Sequence, residues 1–288
     1  MDGQTSSARP SRACPSSERA VPEALLVGAV AHDPKVVTIW EGIREYFRAQ
    51  GVRVDFALFS NYERQVEALL AGHVDIAWDT PLAHVRLQRR TEGRSLSLGM
   101  RDSDRNFKPK VLVRRDAGIR RLSDLAGRTL AVGSRDSTQA RILPLHFLKE
   151  AGVDPGHVKL LPFDTDLGKH GDTGTSELDV LAAVHDGRAQ AGAVGDLVWV
   201  QEQAAGRVNA SKVDVLWTTP PFDHCMFDAL STLDPARARD FQDALFAMSW
   251  EVPAHRRILE LEGLKQWMPP REEGYASLRA ALDWQEMW

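Results

Sequence analysis

The chain has 288 residues, 43% hydrophobic and 26% charged, with a formal net charge of −4. That is the composition of an ordinary globular protein with room for two modest lobes. It gives no basic surface for nucleic acid, and no run approaches the roughly 18 apolar residues that span a bilayer.

Residues 1–22 are rich in Ser, Arg, Pro and Ala and have no apolar core. They read as part of a disordered tail, residues 1–23, and not as a secretory signal. The expected location is therefore cytoplasmic. Periplasm or cell surface follows only if the start site is misassigned. Cys14 falls in this tail, so no disulfide with Cys225 is expected and Cys225 reads as a free thiol.

Residues 24–30, ALLVGAV, read as a buried strand. His32 and Asp33 follow it. Asp33 suits an N-cap and Pro34 a first helical position, and Ile39, Trp40, Ile43 and Phe47 give that helix an apolar side. Residues 52–59 alternate like a second strand. Ser60-Asn61 then cap a helix carrying Val66, Leu69 and Leu70. The run VDIAW at 74–78 is a third strand, ending in Asp79-Thr80-Pro81 where another helix starts. This β-α-β-α-β-α order predicts a parallel sheet with helices on its faces.

Strands are expected again at 96–100 and, leaving the first lobe, at 107–115. A strand at 129–132 ends in the turn GSRDSTQ, residues 133–139, at the start of a further helix. A strand at 158–163, a polar loop with Gly168, Gly171 and Gly174, a helix, and a small apolar strand ending in Asp196 come next. Residues 213–217 read as a return strand, 218–228 as irregular, and the chain from 235 onward as helical. The expected fold is α/β with two lobes, each a mainly parallel sheet flanked by helices. Residues 24–107 and 218–288 would make lobe 1 and residues 108–217 lobe 2. Two crossing strands, near Lys110 and near Asp214, would join them.

Both polar turns then line one cleft. Free N–H groups and the positive end of a helix dipole make such turns ready for an anion. Asp79 and Thr80 stand on one side as ligand contacts, Ser134, Ser137 and Thr138 on the other, and His32 ends the first strand. Each hydroxyl also has an ordinary structural role open to it as an N-cap.

Three segments carry a family resemblance: Tyr62 with VEALLAGHVDIAWDTPLAHV at 66–85, KVLVRRDAGIRRLSDLAGRTLAVGSRDST at 110–138, and LDVLAAVHDGRAQAGAVGD at 178–196. The chain resembles the phosphate/phosphonate solute-binding proteins of ABC importers, with the type II periplasmic-binding-protein fold. The resemblance implies that Tyr62, Ser137 and Thr138 face a small anionic or zwitterionic ligand, with Asp196 close by. It also implies membrane subunits of an importer as partners.

The departures from the family pattern are specific. Asp79 precedes Thr80-Pro81 where the family has a neutral glycine-proline turn, and a carboxylate there would repel a dianion. Thr175-Ser176-Glu177 lacks the family's histidine, although His170 lies nearby. Lys108-Pro109-Lys110 replaces an aromatic. His32, Asp79, His84, His224 and Cys225 could together ligate a transition metal, and His224 beside Cys225 could serve as base and nucleophile. Most such residues are hydrogen-bonded or small buried groups in ordinary proteins. Two readings stay open: a solute receptor, and a cytoplasmic biosynthetic enzyme on the same fold.

Overall fold

The computed structural model describes residues 23–288. The tail read at residues 1–22, Cys14 included, lies outside the described residues. The first lobe starts with β1 (Leu25–Val30), α1 (Lys35–Ala49), β2 (Val54–Phe59), α2 (Tyr62–Leu70), β3 (Ile76–Asp79), α3 (Pro81–Arg90) and β4 (Ser95–Arg101). Asn61 caps α2 by accepting from the Arg64 N–H, and Pro81 opens α3 under a Thr80 cap. Asp33 accepts from the Lys35 N–H at 2.8 Å from two residues before α1, and Pro34, expected as the first helical residue, stands in the N-cap position instead.

The second lobe holds β5 (Lys110–Arg114), β6 (Thr129–Val132), α4 (Leu143–Glu150), β7 (Lys159–Pro162), α5 (Thr175–His185), β8 (Ala191–Val194), α6 (Asp196–Ala204) and β9 (Val213–Thr218). A π-turn at residues 138–142 precedes α4. The chain then returns to the first lobe with β10 (Met226–Leu230), α7 (Pro235–Phe246), α8 (Pro253–Glu262), β11 (Trp267–Met268) and α9 (Ala276–Gln285).

The sheet orders are β11-β4-β10-β3-β1-β2 and β7-β6-β8-β5-β9. Both are mixed rather than mainly parallel. The β1, β2 and β3 pairings and the β6 pairings with β7 and β8 are parallel. Each lobe also admits a strand that runs the other way because it belongs to a crossing: β10 enters between β3 and β4, and β5 between β8 and β9. Residues 218–228 are thus not all irregular. Met226 to Asp228 form the start of a central strand, disguised in sequence by its acidic residue. The long strand expected at 107–115 is cut to five residues, since Phe107 only bridges Phe222.

The first core gathers Trp40, Phe47, Trp78, Phe227, Phe241 and Trp267. Phe227 sits among them, 4.4 Å from Trp78 and 5.3 Å from both Phe241 and Trp267 between ring centroids. A second cluster joins the lobes: Leu278, Ala281 and Leu282 of α9 pack with Leu82 and Val85 of α3 and with Ile142, Leu143 and Phe147 beside α4.

Phe227→Ala should cost about 3–5 kcal/mol, as for other fully buried aromatics, read by urea unfolding. A loss below about 1 kcal/mol would mean that these rings are not one packed core.

Candidate functional site

Tyr62 is the first residue of α2 and is almost fully buried. Its hydroxyl donates to Asp172 Oδ2 at 2.7 Å, and its ring stacks on His170 with centroids 4.9 Å apart. Both partners come from the second lobe's loop at residues 164–174. Thr80 Oγ1 lies 2.6 Å from His170 Nδ1, and His170 Nε2 lies 3.0 Å from Glu63 Oε1. His32 Nδ1 stands 3.3 Å from Asp172 Oδ2. Lys169 Nζ donates to Ala31 O at 2.9 Å, and Gly168 O accepts from the Tyr62 N–H at 3.1 Å. The loop is therefore bonded to the first lobe along its length.

On the second lobe, the turn after β6 delivers Ser137 as the cap of the helical segment, accepting from the Ala140 N–H at 3.2 Å. The hydroxyls of Thr138 and Ser176 are buried next to this start and have no hydrogen-bond partner. Gly133 brings Ser176 up to the helical start: a Cβ there would come within 2.7 Å of Ala140 Cβ, 3.0 Å of Ser176 Oγ and 3.6 Å of Ser137 Cβ. Gln139 Nε2 donates to Gly171 O and to Glu177 Oε1, at 3.1 and 3.0 Å. Glu177 Oε2 accepts from the Gly195 N–H at 2.5 Å. Burial nevertheless raises the Glu177 pKa to about 7, against the pull of the Gly195 and Gln139 donors.

Ser134 bonds within its own lobe, donating to Phe163 O and accepting from the Asp166 N–H. Asp196 accepts from the Lys108 N–H at 3.0 Å and pairs with Lys110 Nζ at 2.5 Å, so the first crossing strand already engages it.

Asp79 and His84 belong to a different constellation, inside the first lobe. Asp79 is 0% exposed and accepts from Gln65 Nε2 at 2.7 Å. Burial, then the charge of Asp228, push its pKa well above the carboxylate range, so it holds its proton. The repulsion expected of a cleft carboxylate at this position is accordingly not exerted: Asp79 is turned into the lobe and neutral. His84 Nδ1 lies 2.9 Å from Asp228 Oδ2, and its Nε2 lies 3.5 Å from Glu272 Oε2. Burial alone would lower the His84 pKa. The Asp228 carboxylate overrides it and, with Glu272, pushes the value up to about 9.

His224 and Cys225 lie at the end of the second crossing. His224 Nδ1 is 3.1 Å from Cys225 Sγ, and Asp104 completes a cluster whose donor atoms fall within 4.8 Å. Arg101 already holds Asp104 by two bonds, at 2.7 and 2.8 Å. Burial and then Asp104 push the Cys225 thiol well up, and the side chain is 1% exposed in the core. A nucleophile or a metal ligand needs a thiolate, and this site offers a protonated thiol beside a guanidinium. The five residues expected to share a metal do not converge. His32 faces Asp172, Asp79 and His84 face the first lobe's interior, and only His224 and Cys225 meet. Glu63, Asp136 and His170 also converge, but Arg86, 3.6 Å from Glu63, already supplies positive charge there.

Sequence reasoning missed Asp172, Ser176 and Gln139. The available signal was the glycine-rich run GKHGDTGTSE (168–177). Gly168, Gly171, Gly174 and even His170 adopt positive φ in it, a backbone built for close approach.

Two mixed sheets flanked by helices, crossing twice and closing over a helix start, define a two-lobe solute-binding fold. The chain belongs to the family described as ABC transporter, phosphonate, periplasmic substrate-binding protein, whose sequence model matches residues 29–275. It is 22% identical over 245 residues, 82% of this chain and 80% of the relative, to a probable ABC transporter phosphite-binding protein, PhnD1, of Prochlorococcus marinus strain MIT 9301. The structure of that PhnD1 with methylphosphonate superposes with a TM-score of 0.72 at 21% identity, covering 92% of this chain and 99% of the other. XAC2383 of Xanthomonas citri, solved with ATP, gives 0.71 at 22%, covering 90% and 98%. SsuA of Escherichia coli, a periplasmic aliphatic sulphonate-binding protein, gives 0.61 at 17%, covering 92% and 93%.

These relations support a receptor over the biosynthetic enzyme. They imply a small-molecule ligand and an ABC transporter in the membrane. The family is periplasmic by description, so the cytoplasmic expectation finds no support in it. No helix among the described residues is long and apolar enough to cross a membrane.

The His84 pKa is raised above its unfolded value of 6.5. Its stabilisation is therefore fully present below pH 6.5 and lost as pH rises through about 9. The contribution is on the order of 3 kcal/mol. Urea unfolding should show the stability gap between wild type and His84→Gln narrowing over that window. A gap independent of pH would mean that His84 is uncharged in the folded protein.

Proposed function

We propose that this chain is the periplasmic receptor of an ABC importer and that its two lobes close on a small phosphorus oxoanion of the phosphonate or phosphite class. One observation carries the reading. The Thr138 and Ser176 hydroxyls are buried without partners, beside a capped helical start. A buried hydroxyl left unpaired costs about 1–3 kcal/mol, and an oxyanion seated there would satisfy both. The helix start adds backbone N–H donors and the positive dipole end.

Tyr62 closes this position from the other lobe. Adjacent residues of one loop touch both sides: Asp172 accepts from Tyr62, and a side chain at Gly171 would collide with Ser137 Oγ. The ligand names attached to the PhnD1 relative point to the same chemistry. With Asp79 neutral and turned away, the carboxylate once expected to oppose a dianion does not.

Isothermal titration of wild type with methylphosphonate, phosphite and sulfate tests the class. Binding of either phosphorus oxoanion in preference to sulfate is expected. Thr138→Val should weaken it by about tenfold to a hundredfold, the value of a bond to a charged acceptor. Absence of heat and of thermal stabilisation with all three anions, in wild type and in the Asp172 variants described below, would overturn the reading.

A further inference from the structure

Asp172 is held as a bound anion would be. Its side chain is 16% exposed. It takes the Tyr62 hydroxyl bond at 2.7 Å and faces the His32 imidazole at 3.3 Å. Burial would raise its pKa; His32, then His224, then the Tyr62 bond reverse this and bring it below the ordinary value. A hydroxyl donor and an imidazole are partners an oxyanion selects. Here a side chain of the same protein has taken them.

The neighbouring backbone packs against Ser137 and Gln139. Gly171 has φ of +80° and lies so close to Ser137 Oγ that no side chain fits there, and its carbonyl takes the Gln139 amide. The loop thus covers both the Tyr62 side and the Ser137–Gln139 side of the closed cleft. Its backbone is shaped for this close approach. Gly168, Gly171 and Gly174 have positive φ, as does His170 at +55°, a conformation costly for a residue with a Cβ.

We propose that Asp172 is an internal stopper: its carboxylate takes the Tyr62 hydroxyl that closes on the cleft, and the ligand's anionic group, seated at Thr138 and Ser176, binds by displacing it from that donor. This rests on the receptor reading above and adds what that reading lacks, the group that holds the Tyr62 donor before ligand arrives. Two anions cannot share one Tyr62 donor, and a dianion next to an ionised carboxylate is repelled. Entry of ligand is an exchange of one anion for another. The apparent affinity is reduced by the fraction of molecules in which the stopper is seated.

Two variants and two probes test this. Asp172→Asn keeps the size and removes the charge. It should bind methylphosphonate more tightly than wild type, by about tenfold or more. Asp172→Ala vacates the position. Formate should then raise its melting temperature in a saturable way while leaving wild type unmoved, because a free carboxylate refills the vacancy.

If Asp172→Asn binds methylphosphonate no better than wild type and formate does not stabilise Asp172→Ala, the stopper is overturned while wild-type binding keeps the receptor reading. If formate stabilises Asp172→Ala but no variant binds methylphosphonate or phosphite, the stopper stands and the phosphonate reading falls. Should Asp172→Ala fail to fold, the Asp172→Asn titration decides alone. Tighter binding supports the stopper, and equal or weaker binding overturns it.

Discussion

A carboxyl group buried in the middle of a central β-strand is among the least tolerable things a fold can contain, and Asp228 of β10 is one, its pKa raised by burial against the pull of His84. Its desolvation costs several kcal/mol unless a cation meets it at good geometry. His84, one turn into α3, does so from 2.9 Å, and Glu272 holds the other end of the ring. Gln88, Ser97 and Arg279 in turn hold Glu272. The strand that returns the chain from the second lobe can insert between β3 and β4 because α3 presents that imidazole. The same α3 begins at Thr80, which meets the second lobe through His170. Sheet closure, the start of α3 and one jaw of the cleft therefore rest on a single charged contact. Asp79 adjusts to it by keeping its proton, since two buried carboxylates and one imidazolium would not balance, whereas Glu272 is half-exposed.

The meeting of the lobes is polar on the cleft side and apolar behind. In front, the loop at 164–174 meets the first lobe through the Gly168 carbonyl on the Tyr62 N–H and the His170 and Lys169 side chains on Thr80 and Ala31. Behind, α9 lays Leu278, Ala281 and Leu282 across both lobes, and Gln285 donates to Ile142 O at 3.0 Å. The apolar part holds the lobes together without regard to ligand. The polar part offers bonds that a ligand can replace at similar strength. This division is what an exchange site needs: closure does not collapse when one anion leaves, and the incoming anion need only match what the loop gives up.

Much of this was legible in the sequence because local rules agreed. Residues 24–30 were apolar without alternation and became a buried strand. Asn61 and Thr80-Pro81 announced helix starts, and both caps formed. The family resemblance to phosphonate-type solute receptors rested on Tyr62 with residues 66–85, on 110–138 and on 178–196. Other features were hidden because their cause is tertiary. MFDAL at 226–230 has an acid where a central strand should be apolar, and nothing nearby in sequence shows that His84 will neutralise it. Asp79 looked like a cleft carboxylate because the turn after a strand points outward by default; Gln65, fourteen positions earlier, draws it in. Asp172 sits in a polar, glycine-rich loop that periodicity cannot read. His224 and Cys225 looked like chemistry because they are adjacent. Arg101 and Asp104, more than a hundred positions away, make them part of a buried charge cluster.

The two crossings are laced to each other. Phe107 and Phe222 exchange N–H···O bonds at 2.8 and 3.0 Å, and their rings meet edge to face. Two independent tethers would let the halves twist, slide or splay. Here the lacing continues on both sides of that rung, with the Thr219 N–H on Pro109 O and the His224 N–H on Asp104 O, so the two crossings behave as one ribbon. The alignment of the jaws is inherited from backbone bonds that never touch what is being held.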